Sequence, residues 1–110
     1  MSMQTDVKAV HSSASTLGTA VKLLPTTGPM RGRIKSVVVT GGLTAGTATF
    51  YDGNTDNSAA DTSTVLLILD SAANSNMTNV LLPGEGILFN RGLWYTPTTT
   101  APFGVTVIYG

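Results

Sequence analysis

Charge is scarce in this chain. Asp, Glu, Lys and Arg together supply 12 of its 110 residues, and the six acidic and six basic side chains cancel. An ordinary soluble domain carries roughly 25% charged residues. A free monomer commonly keeps itself soluble with charge, so this surface is better suited to lasting contact with other protein. The lack of a basic excess argues against nucleic acid as a partner. Cysteine is absent, which removes disulfide staples, thiol nucleophiles and thiolate metal ligands together. Histidine occurs once, at His11. A Ser/His/Asp triad needs a rigidly oriented base in a pocket, and one His without Cys makes a poor metal site. The reading is therefore of a protein that is not an enzyme and holds no metal or cofactor. Long apolar runs are missing too: the longest is Val65-Leu66-Leu67-Ile68-Leu69, far short of the roughly 20 residues that span a bilayer. Residues 1–16 contain no apolar core of a secretory signal, so synthesis in a cytoplasm and no membrane association are expected.

What fills the chain instead is Thr and Ser, 27 residues of 110. At this length there is room for one domain with one core. Residues 1–16 (MSMQTDVKAVHSSAST) have few large apolar side chains and read as a flexible N-terminal arm, with a β-sandwich domain over 17–110. From Leu17 onward, short β-branched runs alternate with Gly, Pro, Asn and Asp clusters, the texture of an all-β fold. Eight strands are expected: about Thr19–Leu24, Arg33–Thr40, Ala45–Tyr51, Thr64–Leu69, Thr78–Leu82, Ile87–Asn90, Leu93–Thr96 and Val105–Tyr109. Eight short antiparallel strands fit a two-sheet sandwich, jelly-roll-like by preference. Alternation puts Ile34, Ser36 and Val38 on one face of their strand and Arg33, Lys35, Val37 and Val39 on the other. Val38, Phe50, Leu67, Leu69, Phe89 and Val107 are expected inward. One helical turn is conceivable over 56–62.

Few residues suggest chemistry. Asp52-Gly53-Asn54-Thr55-Asp56-Asn57 matches the first, third and fifth positions of a calcium loop. It then fails at Asn57, where Gly is required, and at Ser63, where a bidentate Glu is required. Gly84-Glu85-Gly86-Ile87 lacks the helix and the Lys of a phosphate loop and reads as a turn. Arg31-Gly32-Arg33-Ile34-Lys35 is the one local concentration of charge, three of the six basic residues. It is either a solvated strand start or a contact to an acidic neighbour in an assembly. Trp94 and Tyr95 are adjacent, so in a strand one faces the core and the other the surface, where an aromatic can anchor an interface. His11, Arg31, Arg33, Lys35 and Trp94 are thus the candidate interaction residues, His11 because an arm of this kind serves attachment.

The succession Arg33-Ile34-Lys35-Ser36-Val37-Val38-Val39, then Gly46-Thr47-Ala48-Thr49-Phe50-Tyr51-Asp52-Gly53, then Pro83-Gly84-Glu85-Gly86-Ile87-Leu88-Phe89, then Gly92-Leu93 and Val105-Thr106-Val107-Ile108-Tyr109 resembles small β-rich structural proteins of tailed bacteriophages. The resemblance covers roughly residues 31–110. Some members of that group are capsid cement or decoration proteins, jelly-roll-like sandwiches that trimerise on the shell. It implies a virion structural protein on the capsid exterior, a homotrimer whose partner is the major capsid protein, made in the host cytoplasm. The other readings are a tail, connector or fibre-base component, and a carbohydrate-binding β-sandwich module.

Overall fold

The computed structural model describes residues 8–14, 20–24, 28–40, 46–71, 77–97 and 103–110. These form nine strands: β1 (Lys8–Ala14), β2 (Val21–Leu24), β3 (Gly32–Thr40), β4 (Gly46–Gly53), β5 (Ala60–Ser71), β6 (Met77–Leu81), β7 (Ile87–Phe89), β8 (Leu93–Pro97) and β9 (Phe103–Tyr109). Among the described residues there is no helix, and none long and apolar enough to cross a membrane. The strands make two antiparallel sheets. One runs β1-β9-β3, with β6 and β7 both along the far side of β3; the other runs β2-β8-β4-β5.

The pairing obeys one rule. β4 pairs β5, β3 pairs β6 and β7, β2 pairs β8, and β1 pairs β9. The chain is therefore one long hairpin, folded at β4–β5 and rolled so that successive pairs fall in opposite sheets. That is a jelly roll. β6 and β7 act as two halves of one broken strand along β3, with a turn at Pro83–Gly86 between them, closed by Gly86 N–H donating to the Pro83 carbonyl at 3.2 Å.

Each of the eight expected strands has a counterpart, from β2 to β9. The ninth, β1, corrects the expected arm over residues 1–16 across its 8–14 portion. Lys8–Ala14 pairs residue by residue with β9, from Lys8 opposite Tyr109 to Ala14 opposite Phe103. Residues 1–7 and 15–16 lie outside the described residues. The segment carries little apolar bulk because it needs little. Val10 turns inward opposite Val107, and Ser12 Oγ shares a 3.0 Å hydrogen bond with the Tyr95 hydroxyl, reaching across from the other sheet. The helical turn expected over 56–62 is absent: residues 55–59 are turn and bend, and β5 begins at Ala60.

The core fills the space between the sheets. Ile34, Val37, Val39, Phe89, Val105 and Val107 come from one side, and Ala48, Phe50, Leu69, Leu93 and Tyr95 from the other. Phe50 and Tyr95 lie directly opposite on β4 and β8 and stack with centroids 6.0 Å apart. Phe50, Leu69, Phe89 and Val107 are buried as expected; Leu67, on an edge strand, is half-buried. Val38 is a correction. Ile34 pairs Tyr109, but Ser36 pairs Ile108, so Lys35 is an extra residue with no partner on β9. A bulge of this kind shifts the alternation by one. Ile34 faces in before it, Val37 and Val39 after it, and Val38 is left half-buried on the outer face. The bulge sits where the Pro83–Gly86 turn interrupts the other side of β3. Gly86 has φ +82°, and a Cβ there would strike the Ile34 carbonyl, so the turn needs glycine.

Candidate functional site

Among the described residues, two outer sheet faces and one wired end gather the side chains of interest. On the outside of the five-stranded sheet, register aligns Ala9, Ile108, Ser36 and Leu81 in one row. His11, Thr106, Val38 and Asn79 form the next. His11 is exposed, and its Nδ1 lies 2.7 Å from Thr106 Oγ1. It therefore belongs to a strand and not to an arm.

On the outside of the four-stranded sheet the rows are Lys22, Trp94, Tyr51 and Val65, and then Thr96, Thr49 and Ile68. Beyond them Thr47 Oγ1 donates to Asp70 Oδ1 at 2.9 Å. Lys22 and Asp70 are the only charged groups of these rows, at opposite edges. Trp94 is the surface member of the Trp-Tyr pair and Tyr95 the core member. The Lys22 ammonium sits over the indole, 5.7 Å from its ring centroid, a cation–π distance.

The basic cluster resolves into a clasp. Arg33 Nε lies 3.6 Å from Glu85 Oε1, and Lys35 Nζ donates to the Glu85 carbonyl at 3.2 Å. Arg33 thus meets a carboxylate of the chain's own turn, and Lys35 the backbone of the same residue. An exposed pair of this kind contributes at most about 1 kcal/mol. Arg31 is exposed. The structure does not gather the candidate residues. His11 lies on one outer face, Trp94 on the other, and Arg33 and Lys35 at the broken edge of β3.

The wired end is what the sequence reading missed. Asp52 is buried, and its carboxylate accepts from four backbone N–H groups: Gly53 at 2.8 Å, Asn90 and Arg91 at 2.9 Å, and Gly92 at 3.2 Å. Asn57 is buried at φ +57°, a left-handed conformation that Asn tolerates. Its Nδ2 donates to the Gly28 carbonyl at 3.1 Å and the Leu24 carbonyl at 3.4 Å, and its Oδ1 accepts from Trp94 Nε1 at 2.7 Å. A Cβ on Gly53 or Gly92 would run into the Asn57 side chain. Three connections are tied at this point: β2–β3, β4–β5 and β7–β8. Of the three calcium-like positions, Asp52 turns inward onto backbone N–H groups, while Asn54 and Asp56 bond Ser58 within the loop.

The rest of the β4–β5 loop and the start of β5 are held by their own side chains. Hydrogen bonds from the Ser58 hydroxyl and N–H hold the Asp56 carboxyl below its ordinary range. The hydroxyls of Ser63 and Thr64 do the same for Asp61. Burial between the sheets pushes the Tyr95 phenol above its ordinary range, against a smaller opposing effect of the Ser12 hydrogen bond.

No protein family, curated protein or solved structure matches this chain. The jelly roll therefore stands on strand order and register alone.

Proposed function

We propose that this chain is a structural subunit of a virus particle, of the capsid cement or decoration type, which binds the major capsid protein shell from outside. The observation that carries the reading is the outer face of the four-stranded sheet. Trp94, Tyr51, Val65 and Ile68 lie there among Thr47, Thr49 and Thr96, with one Lys and one Asp at its borders. Aromatic enrichment with charge kept to the margin is the composition of a protein–protein interface. The resemblance of residues 31–110 to phage structural proteins supports the same reading.

The mechanism is mechanical. A shell under internal pressure fails where its subunits meet. A sandwich laid across such a junction adds buried contact, and several weak contacts per oligomer act together through effective concentration. A threefold junction suits a homotrimer, closed by heterologous contacts.

The experiment is quantitative composition of purified particles. Hundreds of copies per particle, on the order of the shell subunits, are expected. A tail, connector or fibre-base component shares these surfaces and differs in copy number, on the order of ten, which would move the protein off the shell. The neighbouring Trp94 and Tyr51 also favour a sugar platform as a second reading. Against it, Lys22 lies over the indole and the indole N–H is bound to Asn57. Trp94 is the sole tryptophan, so its fluorescence reports any sugar titrated onto this face; no change is expected.

A further inference from the structure

One side of β5 has no partner among the described residues, since β5 ends the four-stranded sheet. An edge strand exposes a row of backbone N–H and C=O groups, and proteins usually blunt such edges with charge, proline or shortness. β5 is the longest strand described, and from Thr62 to Leu69 it has neither charge nor proline. Its N-terminal part is blunted by register breaks against β4 around 61–64 and at Leu66. Leu67 to Ser71 is unbroken. The apolar side chains here are also poorly covered. Val65 and Ile68 face outward, 48% and 57% exposed, and Leu67 faces inward opposite Phe50 yet is only half-buried.

We propose that two copies of this chain associate by antiparallel pairing of β5 with β5 about a two-fold axis at Ile68. A second copy is the occupant that fits because it brings the same unsatisfied edge, so one contact satisfies two. In this register each Ile68 faces its twin, and Leu67 lies opposite the second copy's Leu69, so inward side chains meet inward side chains and the two cores run on into each other. The charges are compatible too. Asp70 falls opposite the second copy's Leu66, four residues along the strand from its own twin, about 14 Å at strand rise and beyond the screening length of physiological salt. The pairing goes beyond the proposed function, since it concerns copies in solution and applies equally to a tail component. It leaves β1 and both outer faces open for a shell or a threefold neighbour.

The test is sedimentation of the full chain with a cross-link. The native protein should sediment as a dimer at micromolar to tens of micromolar concentration. Ile68→Lys should weaken dimerisation roughly tenfold or more, as for a central interface residue. Leu81→Lys, on the opposite sheet, should not. The chain has no cysteine, so Ile68→Cys reports one geometry. Facing residues of an antiparallel pair have Cα atoms about 4.5–5.5 Å apart, within disulfide range. Mild oxidation should give a reducible dimer for Ile68→Cys and not for Leu81→Cys. A monomeric native protein, Ile68→Lys dimers of undiminished strength, or equal cross-linking at Leu81 would each overturn the proposal. Circular dichroism of each variant keeps misfolding apart from lost association.

Discussion

Asp52 is buried, and its carboxyl oxygens accept hydrogen bonds from four backbone N–H groups. Hydrogen bonds to charged groups contribute about 1.5–3 kcal/mol each, and buried donors left unpaired are costly. Asp52→Ala should therefore lower stability by roughly 2–4 kcal/mol, a fall in melting temperature on the order of 10–20 °C for a chain of this size. Tyr95 makes a different prediction, because its acid constant differs between folded and unfolded chain. Unfolded, the phenol titrates near about 10; folded, burial holds it higher. Below the unfolded value both states are protonated and Tyr95 contributes in full. As pH climbs from there through the folded value, the unfolded chain releases a proton that the folded chain keeps, and stability falls. Melting curves from about pH 8 to about pH 11 should show a steeper decline for the native protein than for Tyr95→Phe. The variant starts lower by about 1 kcal/mol for the lost Ser12 hydrogen bond. Coincident slopes would mean that the phenol does not titrate differently in the fold.

Among the elements, β1 sets the sharpest expectation. Deleting residues 1–14 removes Val10 and Ser12 and opens the flank of β9, where Val105 and Val107 are fully buried. The shortened chain should lose its cooperative melting or melt at least about 10 °C lower, measured against a chain lacking only residues 1–7. An unchanged melting temperature would mean that the sandwich is complete without β1. The same strand shows where sequence stops being legible. Strands with β-branched cores and Gly or Pro borders, such as Arg33–Thr40, are readable from alternation. β1 is not, because its inward positions are filled by one Val and a Ser whose value depends on Tyr95, 83 residues away. The Lys35 bulge is hidden for a related reason: it lies beside the Pro83–Gly86 turn, and only the folded pairing brings the two together. Trp94 was recognisable as one of an in–out pair; its role over Asn57 was not, since the link spans 37 residues. The Arg33–Lys35 cluster was visible as charge, and its partner Glu85 only as part of a turn.

At the scale of the whole molecule, the near absence of charge becomes a prediction about association. The net charge is zero, and among the paired residues Leu66–Asp70 of the proposed β5 contact Asp70 alone carries an ionisable side chain. Salt acts on association chiefly by screening charges. The dimerisation constant should accordingly change less than about threefold between roughly 50 and 500 mM sodium chloride. A strong loss of dimer with salt would place the contact on the charged patches instead, the Arg33–Glu85 clasp first among them.

The rolled hairpin also dictates an order of events in folding. β4 and β5 are neighbours in sequence and can close early, whereas His11 and Thr106 are 95 residues apart. Chains dominated by such distant pairings fold slowly, typically in milliseconds to seconds. During synthesis β1 emerges first of the described strands and its partner β9 last. Until then the seven residues of β1 and their backbone groups wait unpaired. The sparse apolar content of β1, which made it look like an arm, leaves the nascent chain with little to aggregate through while it waits.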